Sequence, residues 1–170
     1  MMQFQFSPYL LPLFAAAVIS LFVAIYLWPR RYTPGATTVT LAALLITTWS
    51  LGYALEIAST DLPSQVFWGK SQYLGIALAP YLWLLFAITY AYEGKKQPSR
   101  FLRWLVIIPV TTIFLTFTNE WHQFIWSTTF SKQIGNLSVL GVTYGPWFWV
   151  HFVCSYLFLL AGTPVILRAL

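Results

Sequence analysis

Five stretches of this chain, residues 10–28, 37–57, 67–92, 101–117 and 147–167, are almost unbroken runs of apolar side chains. Crossing about 30 Å of hydrocarbon at about 1.5 Å per helical residue takes roughly 20 residues. These runs have that reach, although the fourth is short and holds Pro109. A closed barrel would instead show strict alternation in segments of about ten residues, which is absent. Only 8% of the 170 residues are charged, against roughly a quarter in a soluble domain. A soluble enzyme, a disordered tail, a coiled coil and a nucleic-acid module are thereby excluded. The expected fold is an all-α, polytopic transmembrane bundle with five membrane-spanning helices. The third run contains Pro80, where a kink or tilt is expected.

Helix breakers mark the joints at Pro29, Pro34-Gly35, Pro63, Gly94, Pro98 and Gly145-Pro146. Arg30, Arg31, Lys95, Lys96, Arg100, Arg103 and Arg168 fall in loops on one side, and Lys70 and Lys132 on the other. The positive-inside rule puts the richer side in the cytoplasm, so the N-terminus is expected outside and the C-terminus inside. The location expected is the plasma membrane. The first seven residues carry no Lys or Arg, and the first apolar run continues past Ala15-Ala16-Ala17, which favours a retained helix over a cleaved signal peptide. The segment 118–145 is the one long polar connection, expected outside as a hairpin or short amphipathic piece. Within it, Asn136-Leu137-Ser138 matches a glycosylation acceptor.

Ionisable groups at membrane depth are costly and therefore candidates for function. Trp49, Tyr53 and Glu56 share a face of the second helix, and Lys70 and Tyr73 share one at the start of the third. The short connection between these helices makes Glu56 and Lys70 an expected ion pair, as a structural pin or as a charge that meets a ligand. Trp147, His151 and Ser155 line one face of the last helix, with His151 either a hydrogen-bonded core group or a ligand contact. Asn119 and His122 close the fourth helix as caps or as site residues. With Trp68, these residues gather near one end of the bundle, where Trp and Tyr form either a membrane belt or the lining of a pocket.

Several motifs fail. Trp68-Gly69-Lys70-Ser71 imitates the end of a phosphate loop, but Ser64 stands at the first glycine's position. Two histidines and the single cysteine, Cys154, lack metal-ligand spacing, and no nucleophile elbow or paired carboxylates occur. No catalytic residue, cofactor or metal is expected.

The residues Trp49-Ser50-Leu51-Gly52-Tyr53-Ala54-Leu55-Glu56 and Trp68-Gly69-Lys70-Ser71-Gln72-Tyr73-Leu74-Gly75 resemble the N-terminal seven-helix region of bacterial and archaeal sensor histidine kinases. Pro80, Trp83 to Ala87, Thr118-Asn119 with His122, and Gly145 to His151 continue the resemblance in order, over about Pro8 to Leu167. It implies a membrane sensor input domain with its N-terminus outside, followed by cytoplasmic modules: a PAS domain, a histidine kinase core or a diguanylate cyclase. The chain stops at Leu170 after the fifth helix, so a partial seven-helix region without kinase activity of its own is expected.

The function expected is thus sensory input, with an unknown signal perceived in the outer half of the bundle. The partners expected are the lipid bilayer, a small-molecule ligand, a second copy or a cytoplasmic signalling module, and no nucleic acid. Two other readings are a small transporter component and a membrane assembly partner that senses nothing. The mostly aliphatic inner halves of the helices speak against a transport path.

Overall fold

The computed structural model describes residues 4–93, 99–135 and 137–169. Lys95 and Lys96 of the charge argument, the breakers Gly94 and Pro98, and Asn136 of the acceptor motif lie outside them. Helix α1 spans Leu10–Leu27 and tightens into a 3-10 turn at Trp28–Arg30. Helices α2, Ala36–Ala58, and α3, Leu62–Ala91, follow; then α4, Arg100–Trp104, α5, Ile107–Phe117, and a single turn α6, Asn119–His122. Strands β1, Trp126–Ile134, and β2, Leu137–Tyr144, precede α7, Pro146–Leu167. Among the described residues five helical stretches are long and apolar enough to cross a membrane, with α4 and α5 together making one of them.

Local chemistry sets the helix ends. Gly35 precedes α2 at φ +82°, a left-handed conformation that glycine adopts without strain. Helix α3 starts at Leu62, earlier than the residue 67 expected, because Asp61 caps it by accepting from the Ser64 N–H at 2.9 Å. Pro63, read from sequence as a breaker, sits in the first turn, where its missing N–H is not needed. The helix then continues through Pro80. The fourth span is split because Pro109 offers no N–H to the carbonyl of Leu105. That carbonyl accepts instead from Ile108 at 3.2 Å, a tighter turn that separates α4 from α5.

Helix α3 is the centre of the bundle: it packs on α2, α5 and α7 and touches both strands, while α1 lies against α2. Small residues make these contacts close, as expected where lipid tails are as apolar as leucine. The Ser20 and Thr47 hydroxyls meet at 2.9 Å between α1 and α2. Each also donates to the carbonyl four residues back in its own helix, or is placed to do so, at 2.8 and 2.9 Å. Large apolar side chains such as Val18, Phe22, Leu157 and Leu160 point outward instead. At one end, the antiparallel hairpin turns at Gly135, φ +60°, and lies over α2 and α3. Its base, Ile125 and Trp126, is buried with Tyr73. The N-terminal segment reaches the same end, where the Gln5 N–H donates to the Ala58 carbonyl at 2.8 Å.

Helices α2 and α3 approach closely at Gly75, where an added Cβ would lie 2.6 Å from the Leu45 carbonyl oxygen. Backbone cannot step aside as a flexible side chain can. Gly75→Ala is therefore expected to push α2 from α3 and lower stability by about 1–3 kcal/mol, read as a lower midpoint of thermal unfolding in detergent micelles.

Candidate functional site

Polar side chains concentrate where α2 ends, α3 begins and the hairpin covers both. Gln65, fully buried, donates through Nε2 to the Ser59 carbonyl at 3.0 Å and to the Ser138 carbonyl and hydroxyl at 2.9 and 3.1 Å. The Ser138 hydroxyl in turn lies 2.6 Å from that of Ser131 on the facing strand. One amide thus ties the end of α2, the first turns of α3 and both strands together.

Glu56 and Lys70, expected to pair, take different partners. Glu56 is buried, and its Oε2 accepts from the Gln72 amide. Gly69 leaves room for this: a Cβ there would stand 3.5 Å from Glu56 Oε2, 2.8 Å from Leu140 and 3.2 Å from Trp126. The carboxylate therefore lies under the hairpin, and among the described residues it has no ion-pair partner. Lys70 instead donates to Glu120 of α6. Helix rotation explains the outcome. Gln72 is on the flank of α3 that meets α2, whereas Lys70 is turned towards the α5–α6 corner.

The Lys70–Glu120 pair bridges α3 to the segment after α5. The hydrogen bond from Lys70 holds the Glu120 carboxyl below the usual carboxylate range, against some desolvation. A depressed carboxyl stabilises the folded state above its unfolded pKa, and that contribution fades as pH falls through the carboxylate range. Glu120 remains well exposed, so the contribution is small.

Tyr73, Asn119, His122 and Trp147 build the corner beside this pair. Tyr73 meets Trp126 edge-on, with centroids 5.6 Å apart. Asn119 Oδ1 accepts from the N–H groups of Ile125 and Trp126 at 3.0 and 3.1 Å, and its Nδ2 donates to the Trp126 carbonyl at 2.9 Å. Asn119 therefore holds the entry to β1. His122 Nδ1 accepts from the Phe124 N–H at 3.0 Å. Its Nε2 lies 3.0 Å from Thr118 Oγ1, whose own proton goes to the Phe114 carbonyl, so this network puts the ring proton on Nε2. Trp147 Nε1 donates to Thr112 Oγ1 at 3.0 Å and joins α7 to α5. These four act on the cap's own structure.

The remaining candidates lie apart from this corner. His151, buried, has Nε2 at 3.2 Å from Ser155 Oγ, as their spacing on one helix face requires. It lines a cleft of about 470 Å³ between α3 and α7 with Trp49, Pro80, Trp83 and Phe148. Trp49 and Tyr53 also border a cleft of about 600 Å³ with Leu13, Gln72 and Ile76. They share a helix face with Glu56 but are about 40% exposed, while Glu56 is 8% exposed. Trp68 is packed edge-on against Phe67, and its indole N–H has no partner among the described residues. No three His, Cys, Asp or Glu side chains gather among the described residues.

Sequence reasoning passed over Gln65, Gln72, Glu120 and Ser138. Gln65 and Gln72 did carry a signal: two amides seven residues apart mark one polar face on an otherwise apolar helix. Glu120 and Ser138 carried none, because their partners lie 50 and 73 residues away.

With this architecture in view, the chain can be set beside known proteins. A family model described as the N-terminal 7TM region of histidine kinase matches residues 12–170. The chain belongs to that family, a multi-pass membrane region that is not a catalytic domain. No curated protein and no solved structure matches it.

Gln65→Leu keeps most of the side chain's bulk but strips the Ser59 and Ser138 carbonyls of their shared donor. A loss of about 1–3 kcal/mol is expected, with faster amide exchange in residues 126–144 than in α2. Glu120→Gln is expected to cost less than about 1 kcal/mol at neutral pH and nothing at a pH well below the ordinary carboxyl value of 4.5, checked by unfolding at both.

Proposed function

We propose that this chain is the sensory input region of a histidine-kinase-type signalling protein, and that its signal enters at the hairpin end of the bundle. The observation that carries the reading is the buried Glu56 carboxylate, held by one amide beneath Trp126 and Leu140 while the neighbouring lysine is engaged elsewhere. A buried carboxyl with so few partners makes the local packing sensitive to whatever touches the hairpin. A signal shifts a protein between two packings only by interacting differently with them, and here hairpin docking is the contact that differs. Helix α3 carries Gln65, Gly69, Lys70 and Gln72 at this end and packs along α7 further down. It is the element through which a change at the hairpin reaches cytoplasmic modules.

In this reading the hairpin and the N-terminus face outward. The support is the charge pattern: Arg30, Arg31, Arg100, Arg103 and Arg168 all follow helix ends remote from the hairpin. An impermeant thiol reagent on intact cells is expected to label a cysteine at Ser127 in the hairpin and to spare one at Ser99.

The function itself is tested by fusing residues 1–170 to the last membrane helices and kinase core of a 7TM histidine kinase and measuring autophosphorylation in vesicles. Glu56→Gln and Gln65→Leu are each expected to change output severalfold, within the 5–150-fold range typical of coupled sites, whereas Glu120→Gln leaves it near wild type. Unchanged output in both of the first two would remove the hairpin end as the point of entry.

A further inference from the structure

The opposite end of the α1–α2 pair has a feature that sensing does not require. Where α1 tightens into its 3-10 turn, a cleft of about 350 Å³ opens between the two helices. Its walls are Ala24, Ile25, Trp28, Pro29, Thr40 and Leu44. The one hydroxyl among these, on Thr40, is spent on the Ala36 carbonyl at 2.8 Å, so the walls are apolar in effect. Two arginines follow Pro29 directly in the chain. Arg31 lies with its guanidinium 5.2 Å from the ring centroid of Trp28, a wall of the cleft, and 4.6 Å from that of Tyr32. Arg30 lies 4.2 Å from the centroid of Tyr26. Arg30 also donates to the Tyr26 carbonyl at 3.0 Å, and Arg31 to the Trp28 carbonyl at 3.2 Å and the Tyr32 hydroxyl at 3.0 Å, one proton from each nitrogen used, so further N–H groups remain on both.

These contacts hold the two guanidinium groups in place, Arg30 exposed and Arg31 half-buried, and among the described residues neither is ion-paired to a carboxylate. Stacking on an aromatic face leaves the guanidinium edge and its remaining N–H donors open. Such a fork suits a phosphate, to which it donates bidentately. The cleft below has no polar group to offer and suits a hydrocarbon chain.

From this juxtaposition we infer a binding site for one anionic phospholipid: an acyl chain lies in the α1–α2 cleft and the phosphate sits on Arg30 and Arg31. Charge complementarity selects the anionic lipid over a zwitterionic one, whose own ammonium group competes for the phosphate and is repelled by two arginines. The cleft selects a lipid over a free anion, because burying the chain supplies apolar contact that a soluble phosphate lacks. The site depends neither on which way the bundle faces nor on the sensory reading.

The test is native mass spectrometry of the full chain released from mixed micelles containing equimolar phosphatidylglycerol and phosphatidylcholine. One phosphatidylglycerol is expected to stay bound in preference to phosphatidylcholine. Arg30→Gln with Arg31→Gln should reduce that retention about twentyfold to thirtyfold, from roughly a fivefold factor for each lost arginine near an anionic headgroup. Leu44→Trp, which fills the cleft from a partly exposed position, should reduce it while leaving both arginines in place. Arg100→Gln with Arg103→Gln, equal in charge but remote in the chain, should leave it unchanged. Equal retention of phosphatidylcholine, an equal loss in the Arg100/Arg103 variant, or displacement by glycerol phosphate alone would each overturn the site, showing acyl packing, diffuse charge or a simple anion site respectively.

Discussion

A polar atom inside hydrocarbon has no water to bond, and this one constraint organises the molecule. The hydroxyls of Thr40, Thr47, Thr112 and Thr116 each return to the carbonyl one turn back. Such bonds neutralise the hydroxyl and leave a small, compact surface on which another helix can rest. Small residues, alanine, glycine, serine and threonine, therefore make up much of the helix contacts, joined by a few large buried side chains such as Tyr81, Leu84 and Phe158. Many other bulky aliphatic and aromatic side chains turn outward, as a solvent that is itself apolar permits.

The same constraint explains why the larger polar side chains gather at the hairpin. Gln65, Gln72, Glu56 and Lys70 need partners that a lone helix cannot supply: Glu56 and Gln72 find each other across α2 and α3, Gln65 finds a strand carbonyl and serine hydroxyl, and Lys70 the carboxylate of Glu120. The hairpin is thus more than a connection. Its base is held by Asn119 and its body by Gln65, so it is fastened to α6 and α3 at two places. A segment fastened in this way can transmit displacement, whereas a loose loop would absorb it.

The two ends of the bundle differ in kind. At the hairpin end, polar and charged groups are shared between elements, through buried Glu56 with Gln72 and through Lys70 with the exposed Glu120. At the other end, charge is external: Arg30 and Arg31 rest on aromatic rings and face outward. The first arrangement suits a change of packing and the second suits a fixed position at the membrane surface.

Much of this was legible before any coordinates. Hydropathy is a local property, so the five spans and the helical class follow from the chain read in order, and the ordered aromatic and glycine motifs led to the histidine kinase 7TM family. The i, i+4 relation of His151 to Ser155 was equally readable, because both lie on one helix. The partner of Lys70 was not. Its pairing with Glu120 depends on how α3 is rotated and on where the corner after α5 arrives, which no spacing within either segment encodes. Glu56 turned to Gln72 for the same reason. What the sequence determined alone was which residues had to find partners in a lipid solvent; which partners they found was decided by helix rotation and hairpin docking, since those set distances between atoms far apart in the chain.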